Sequence, residues 1–267
     1  MADQRTCAQA GPEAPQGDFE AVFDMAGSLE QERWERAAAR VRFEELRPVS
    51  AFPIIAGKRW GPGWWWSATT GGHVVHGSAA MVMQLMLLDR DPRVVGLAGR
   101  PVRMLWRDHK GTVRSWVPQL FARYADGTGM LADCPAGPRA GGPAAQRAAD
   151  AVGAACARVG WTYRRLRAPG AVTAGNVRWL AGYRHPRYRG AAQLEEAVLG
   201  ALARPRPLIE GVRAVGNPLV VLPVVYHALW AHRLEASLEA PLHAGVLIST
   251  GLAGSGAGVT AGAGVGR

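Results

Sequence analysis

A glycine-rich stretch near residue 60 places aromatic rings beside positive charge. Lys58 and Arg59 are followed closely by the run Trp64–Trp66. Rings of this kind can stack on nucleotide bases while neighbouring cations contact phosphate, so Lys58 and Arg59 are candidate DNA-binding residues. The same rings can instead belong to a strand and turn, because alternate side chains of a strand face inward. We favour core packing for most of these tryptophans.

The chain is basic, and arginine supplies nearly all of its positive charge. It has 31 Lys plus Arg against 21 Asp plus Glu, a formal net charge of +10, and its only lysines are Lys58 and Lys110. Arginine can bind phosphate through two parallel hydrogen bonds, so this composition indicates a nucleic-acid partner. The alternative is that a GC-rich genome has enriched arginine without any ligand. Candidate phosphate contacts surround the helices predicted for the second half: Arg184, Arg187, Arg189, Arg204, Arg206 and Arg213.

Cysteine and histidine usage gives little indication of a metal site. Cys7, Cys134 and Cys156 are far apart and include no C-x-x-C pair, so neither a disulfide framework nor a zinc site is predicted. A reduced cytosol fits this usage best. His73 and His76 are interpreted as structural residues in preference to metal ligands.

Neither a signal peptide nor a membrane span is predicted. The first residues are polar and lack an apolar run. The most apolar stretch, Pro218–Trp230, is too short to cross a bilayer and is interrupted by Pro223 and His227. We therefore expect a cytoplasmic protein without a membrane partner.

The periodicity of apolar residues predicts an α/β domain over residues 19–168, after a disordered leader at 1–18. A helix is predicted over Phe19–Phe43, where glutamate and arginine are interleaved as on a solvated helix face. A second, apolar helix at Ser78–Asp89 ends before the stop signal Asp91-Pro92. A three-stranded meander, a helix and a last strand complete this domain: Val94–Trp106, Thr112–Tyr124, Met130–Cys134, Ala144–Arg158 and Trp161–Leu166.

Residues 169–250 are predicted to form an α-rich, winged-helix-like domain that binds DNA or a partner. Its four predicted helices are Ala171–Tyr183, Ala191–Leu202, Leu208–Val215 and Leu219–Arg233. The alternating stretch LEASLEAPLHAGVLIS follows, and short helices followed by a β-ribbon are typical of a winged helix. The Gly-rich residues 251–267 lack a core-forming pattern and are predicted to be disordered.

Several segments, in this order, resemble the TnsA-like heteromeric transposase endonuclease subunits. The first half contributes RWGPGWWWSATTGGHV, LMLLDRDPRVVGLAGRPVRMLW, VPQLFARYADGT and LADCP, and the second contributes GNVRWLAGYRHPRYRG and PLVVLPVVYHALWAHRLEASLEAPLH. The resemblance extends from Phe19 to Ser249. It implies a restriction-endonuclease-like core of the PD-(D/E)xK type with a mixed sheet. It also implies double-stranded DNA and a transposase subunit as partners, with an ATPase regulator as a further candidate.

The catalytic positions of that family are largely replaced in this chain. Its members hold Mg²⁺ with acidic side chains beside the scissile phosphate, and a Lys or Gln positions or activates the attacking water. The resemblance assigns a glutamate to the start of the Met-rich helix, where this chain has Gly77 and Met81. It assigns an aspartate to Gln119, and an acid-x-base run to Asp133-Cys134-Pro135. Only Asp133 keeps a carboxylate.

These replacements predict a degenerate endonuclease subunit that binds DNA without cleaving it. One carboxylate and one amide oxygen hold Mg²⁺ poorly, so Asp133 is a weak metal candidate and Mg²⁺ is expected only if the chain is active. Pro135 cannot act as a base. Two alternatives stay open. One is an active nuclease that gathers its site from Asp89, Asp91 or Asp108, and the other is a non-catalytic winged-helix DNA-binding or adaptor protein.

Overall fold

A computed structural model of the protein describes residues 18–54, 61–135 and 142–251. The chain divides into two compact units, Met1–Arg178 and Trp179–Arg267. The described residues form a mixed α/β protein with several sheets and seven α-helices. Nearly all of the predicted leader and tail lies outside these residues, and the predicted division at 168/169 stays a prediction. Within the described ranges, no helix combines the length and apolar character needed to cross a membrane.

The predicted helix over Phe19–Phe43 is wrong for most of its length. Two antiparallel strands and a short helix replace it: β1 (Glu20–Met25), β2 (Ser28–Arg33) and α1 (Trp34–Arg40). The turn between the strands explains the difference, because Ala26 and Gly27 both have positive φ, 55° and 97°. Two such residues in succession form the tight turn that matches the twist of a β-hairpin. The Ala-Gly pair is a weaker sequence signal than Asn-Gly, and the charge pattern concealed it.

Strand periodicity accounts for the burial of this hairpin. Phe19, Ala21 and Phe23 are fully buried, which is the period-two pattern of a strand with one face on the core. The charges that were interpreted as a helix face lie instead mainly on β2 and α1. There the Arg40 guanidinium contacts the carboxylates of Glu30 and Glu32 at 3.2 and 2.9 Å.

The predicted apolar helix at Ser78–Asp89 is confirmed. Strands precede and follow it in the sequence. Ser78 is the N-cap of this helix, and its Oγ accepts a hydrogen bond from the Met81 N–H. The elements of this region are β3 (Gly63–Trp66), β4 (His73–His76), α2 (Ala79–Arg90), β5 (Val94–Gly99), β6 (Arg103–Arg107), β7 (Val113–Trp116), β8 (Leu120–Tyr124) and β9 (Gly129–Asp133).

Prolines break two of the three predicted meander strands. Pro101 separates β5 from β6, and Pro118 separates β7 from β8. A proline has no N–H to donate, so a sheet ladder does not continue through it. The β6–β7 hairpin therefore leaves the sheet of β5 and β8 and joins the N-terminal hairpin, giving a sheet of order β2-β1-β6-β7.

The second sheet has the order β10-β9-β8-β5. Its two remaining elements, α3 (Pro143–Arg158) and β10 (Thr162–Arg165), confirm the helix and strand predicted there. β8 pairs antiparallel with both β5 and β9, whereas β10 lies parallel to β9. Because α3 connects this parallel pair, the second sheet and its helices follow the order α2, β5, β8, β9, α3, β10. The predicted order of helix, three strands, helix and strand holds for these elements, whereas β6 and β7 are additional strands of the other sheet.

An aromatic cluster forms the core of the first unit. Trp34 packs edge-to-face on Trp161 with ring centroids 5.3 Å apart, and Phe43 and Phe121 contact the same group. The indole N–H of Trp34 donates to the carbonyl of Ala155 in α3 at 2.7 Å, so the buried polar atom is satisfied. This cluster includes residues of both four-stranded sheets and of α3. It therefore fixes the layers that carry the candidate site.

The second unit consists of short helices and a very small sheet. Its elements, preceded in the chain by α4 (Ala171–Ala181), are α5 (Ala192–Ala201), β11 (Arg206–Pro207), α6 (Leu208–Val215), α7 (Pro218–Trp230) and β12 (Leu247–Ile248). The predicted ribbon after α7 is reduced to an antiparallel bridge between Glu235 and Ser249, and β12 pairs with β11. Pro241 and the surrounding turn residues interrupt any longer ladder.

Candidate functional site

Four strands of the second sheet begin or end at the same side of the sheet, which we call the sheet edge. β9 ends at Asp133 and β10 at Arg165, while β5 runs into Arg100 and β8 starts just after Gln119. The antiparallel and parallel pairings make this convergence a direct result of the topology. The sequence-predicted pair Gln119 and Asp133 therefore lies at one place in the fold.

Gln119 and Asp133 are joined by hydrogen bonds. The backbone N–H of Gln119 donates to Oδ1 of Asp133 at 3.1 Å, and Oε1 of Gln119 accepts from the backbone N–H of Cys134 at 2.8 Å. The amide oxygen of Gln119 is thus already bonded to the backbone just after β9. These contacts bring the two sequence-predicted residues together, but they use oxygens that a cation would need.

Two aromatic donors complete the environment of Asp133. The Trp116 indole N–H and the Tyr163 hydroxyl donate to its Oδ2 at 2.7 and 2.6 Å. Asp133 is only 8 % exposed, so its carboxylate depends on these partners. Sequence reasoning missed both roles. Tyr163 is placed by the in-register pairing of β9 with β10, which a single sequence does not reveal. Trp116 reaches Asp133 from β7 of the other four-stranded sheet.

Burial is the main influence on the ionisation of Asp133. Desolvation raises the pKa of this carboxyl group above its ordinary value, although the bonds from Tyr163, Trp116 and Gln119 and the charge of Arg165 oppose the rise. The neighbouring Cys134 thiol is also desolvated, and its pKa is raised to about 12. The Cys134 side chain is therefore a neutral, buried group and not a reactive thiolate.

Gly77 and Met81, the positions to which the resemblance assigns a glutamate, are enclosed by packing. A Cβ added to Gly77 would overlap the ring of Phe52, and Met81 is fully buried in α2. The Gly77 N–H points to the sulfur of Met81 at 3.4 Å. Pro135 follows Asp133 and Cys134 as a half-buried residue at the end of the described range. None of these side chains carries an acid or a base.

The three alternative carboxylates each bond to neighbouring groups of the protein. Asp89 is buried and accepts four hydrogen bonds, from Trp65 Nε1, Ser67 Oγ and the backbone N–H groups of Ala68 and Thr69, at 2.6–3.1 Å. It anchors the β3–β4 hairpin to the end of α2.

Asp91 and Asp108 belong to local turns. Asp91 pairs with Arg93 at 2.7 Å, and Asp108 pairs with Arg114 at 2.8 Å while accepting from the N–H groups of Lys110 and Thr112. These hydrogen bonds, the one from Arg114 above all, lower the pKa of Asp108. Among the described residues, no three His, Cys, Asp or Glu side chains come together as a metal site.

The tryptophan-rich hairpin divides its rings between the core and the surface. Trp65 is 7 % exposed, whereas Trp64 is 66 % exposed, as strand alternation requires. His73 is exposed at the start of β4, while burial lowers the pKa of the His76 imidazole at its end. The predicted DNA contacts Lys58 and Arg59 lie outside the described residues.

The predicted arginines of the second unit have different environments. Arg189 pairs with the buried Glu195 at 2.8 Å, and Arg233 reaches the same carboxylate. Desolvation acts to raise the pKa of Glu195, but the bonds from both arginines outweigh it and hold that pKa below its ordinary value. Arg189 therefore has a structural contact. Arg184 donates to the carbonyl of Ala181 at 2.7 Å.

Arg187 and Arg213 are predicted phosphate contacts that are exposed to solvent. Arg187 stacks on the Tyr188 ring with its guanidinium carbon 4.7 Å from the centroid, and Arg213 is exposed in the last turn of α6. Stacking on a ring leaves the edge of a guanidinium group able to donate hydrogen bonds.

No family model matches the sequence, and no characterised protein matches it significantly.

We predict that Asp133→Asn lowers stability and removes one pH-dependent contribution. An amide cannot accept from Trp116, Tyr163 and the Gln119 N–H together, so the variant should unfold more easily by about 1–3 kcal/mol at neutral pH. The pKa of Asp133 is raised on folding, so protonation of its carboxyl group favours the folded state. This contribution to the free energy of unfolding is fully present below the ordinary aspartate pKa and is lost as pH rises through the raised value. Urea titration at several pH values measures the difference between the unfolding free energies of the native protein and the variant. This difference should become smaller as pH rises through that range.

Asp126→Asn provides a control of opposite sign. The Asp126 carboxylate is exposed in a turn, and its hydrogen bonds with Thr128 lower its pKa. Its stabilising contribution is present above the ordinary aspartate pKa and is lost as pH falls through the lowered value. Identical pH profiles for the two variants would contradict the role assigned to Asp133.

Proposed function

We propose that this chain is a TnsA-like transposase endonuclease subunit that binds double-stranded DNA in transposition and has lost the ability to cleave it. The observation that carries the proposal is the meeting of Gln119 and Asp133 at one sheet edge, with hydrogen bonds between them. The resemblance assigns two catalytic acids to these two positions. If the resemblance were a chance alignment of unrelated segments, Gln119 and Asp133 would have no reason to be neighbours in space.

The order of elements supports a restriction-endonuclease-like core. α2 precedes β5, β8 and β9, α3 follows, and β10 returns parallel to β9. The resemblance assigns catalytic residues to positions before and within α2, just before β8 and at the end of β9, and this arrangement supports the proposal. The β6–β7 hairpin is an addition between β5 and β8 that pairs with the N-terminal strands.

Loss of cleavage follows from the chemistry of the remaining groups. Mg²⁺ is bound through carboxylate, phosphate and water oxygens in near-octahedral geometry. Here Asp133 supplies one buried carboxylate with three protein donors, and the Gln119 oxygen is bonded to Cys134. The residues present do not fit a magnesium ion, and Pro135 supplies no base. DNA binding is separable from this loss, because fold and activity are separate properties.

The second unit supports a winged-helix-like assignment. α6 and α7 are joined by the short turn Gly216-Asn217, an arrangement that resembles a helix-turn-helix, and β11 and β12 form a small antiparallel pair beside them. The Glu235–Ser249 bridge adds a further pairing after α7. We assign to this unit the exposed phosphate contacts Arg187 and Arg213.

The second helix of that pair is better suited to a protein partner than to base reading. α7 has the sequence PLVVLPVVYHALW and carries no Lys, Arg, Asp or Glu. Base edges in the major groove are read by hydrogen-bonding side chains, whereas the exposed residues at the start of α7 are apolar. Leu219 and Val220 are 84 % and 59 % exposed at its start. We assign this surface to the transposase subunit.

The chain should not nick supercoiled plasmid DNA in the presence of Mg²⁺ or Mn²⁺. The physical reason is that its candidate centre offers a cation a single, fully bonded carboxylate. Conversion of supercoiled to open-circular plasmid on agarose gels measures the activity. Nicking that disappears in Asp133→Ala but not in Asp150→Ala, a change on the exposed face of α3, would contradict the proposal. Nicking abolished by Asp91→Ala or Asp108→Ala would favour a rearranged active site.

DNA binding by the chain should weaken steeply as salt concentration rises. Each phosphate neutralised by Lys or Arg releases condensed counterions, so the affinity has a negative log–log slope against salt. Arg213→Gln should reduce that slope by about one. Fluorescence anisotropy of a labelled duplex gives both quantities. A flat salt dependence, or no binding, would remove DNA from the proposed function.

The paired change Leu219→Asp and Val220→Asp should abolish co-purification with the transposase subunit of the same transposon. Both side chains are exposed, so the change should leave the unfolding temperature nearly unaltered. Val113→Asp, an exposed position on β7 in the first unit, is the matched control and should keep the interaction. Equal recovery of the partner with all three proteins would exclude α7 as the contact.

A further inference from the structure

Four aromatic rings of the second unit pack together near its surface. Trp179, close to the end of α4, contacts Tyr183 with ring centroids 6.0 Å apart and meets Tyr226 of α7 edge-to-face at 5.8 Å. Tyr183 lies 4.9 Å from Tyr226 and 5.2 Å from Tyr188, so it is the centre of the group. We call these four residues the aromatic platform.

The aromatic platform is fixed by its neighbours yet open to solvent at Trp179. Nδ1 of His227 in α7 donates to the carbonyl of Tyr183 at 2.8 Å, which ties the residues after α4 to α7. The three tyrosines are half-buried, whereas Trp179 is 53 % exposed. A large ring that its neighbours already hold loses little conformational entropy when a ligand covers it. Trp179 is therefore preorganised for stacking.

The segments that form the aromatic platform are basic and lack acids. Residues 179–194 contain three arginines and no Asp or Glu, and α7 contains neither acid. The first acid after that segment is Glu195, and its carboxylate pairs with Arg189 and Arg233. The electrostatic complement of this surface is therefore an anionic ligand.

Arg187 places positive charge directly beside the rings. Its guanidinium carbon lies 4.7 Å from the centroid of the Tyr188 ring, and its Nη2 donates to the Tyr188 hydroxyl at 2.9 Å. Arg187 is exposed, and no carboxylate of the described ranges pairs with it. A guanidinium group has five N–H donors, so the bond to Tyr188 leaves others for an oxyanion. Aromatic rings beside such a cation match a nucleotide, which joins a flat base to an anionic phosphate.

We propose that the aromatic platform binds an unpaired nucleotide of DNA, with its base stacked on Trp179 and its phosphate bound by Arg187. Every base has a π-face, so stacking adds affinity with little sequence preference. A proline-rich peptide also packs on aromatic rings, but it carries no phosphate for Arg187 to bind. This inference rests on the proposed function and deepens it, because it specifies single-stranded DNA as the ligand of this surface.

The test compares two labelled DNAs by fluorescence anisotropy with the full chain: a blunt duplex and the same duplex with a short single-stranded overhang. The unaltered chain should bind the overhang DNA about tenfold more tightly, as expected for stacking of one base. An overhang of abasic nucleotides keeps the phosphates and removes the bases, so it should lose most of this preference. That comparison uses only the unaltered protein and does not depend on the folding of any variant.

Trp179→Ala should lose the preference for overhang DNA and keep the affinity for the blunt duplex. Trp179→Phe should keep part of the preference, because a phenyl ring still stacks. Arg187→Gln should lower the salt slope of overhang binding by about one. Leu247→Ala is the matched control, since Leu247 is 60 % exposed in the same unit and has no ring. Its preference should equal that of the unaltered chain.

The outcomes separate the inference from the function on which it rests. If the unaltered chain binds both DNAs equally, or if the preference survives in Trp179→Ala or with the abasic overhang, the inference is overturned and the proposed function stands. An unchanged salt slope in Arg187→Gln also overturns it. Binding of a proline-rich peptide that depends on Trp179, with equal affinity for both DNAs, overturns it in favour of a protein partner.

The proposed function can also fail by itself. Binding of overhang DNA without any binding of the blunt duplex overturns duplex binding and leaves the inference intact. If the chain binds neither DNA, both are overturned.

Discussion

A carboxylate withdrawn from water must find hydrogen-bond donors inside the protein, and Asp133 finds three. They come from Trp116 on β7, the N–H before β8 and Tyr163 on β10. One side chain thereby connects strands of both four-stranded sheets. It does so near Pro118, where the chain passes from β7 of one sheet to β8 of the other. Any ligand that took the carboxylate would have to break these bonds first. The same atoms cannot serve the fold and a cation equally well.

Asp89 repeats this arrangement in another part of the first unit. Its four donors come from the segment after Trp65, so the tryptophan hairpin is fixed to the end of α2. A buried acid that satisfies several backbone and side-chain donors stabilises a connection that apolar contacts alone would leave loosely defined. Both acids have the donor-rich surroundings of structural residues. Carboxylates that ligate metals keep oxygens free for the ion.

The sequence predicted the elements whose apolar residues repeat regularly or whose ends carry clear stop signals. It missed the elements that depend on pairing between strands far apart in the chain. Helix α2 was predicted from its apolar length and the Asp91-Pro92 stop, and β10 from its position after Gly160. The N-terminal hairpin was missed because alternating charges are compatible with either period when one face is solvated. At the candidate site, Gln119 and Asp133 were predicted from the resemblance. Tyr163 was missed because only the register of β10 beside β9 brings it there.

The contact between Phe52 and Gly77 couples the start of α2 to the residue that follows β5. Any side chain larger than hydrogen at position 77 meets the ring of Phe52. The same ring supports the Arg100 guanidinium group, whose central carbon lies 4.8 Å from the ring centroid. A substitution at Gly77 therefore displaces the aromatic surface on which Arg100 is stacked, so position 77 accepts a larger residue only if both neighbours move.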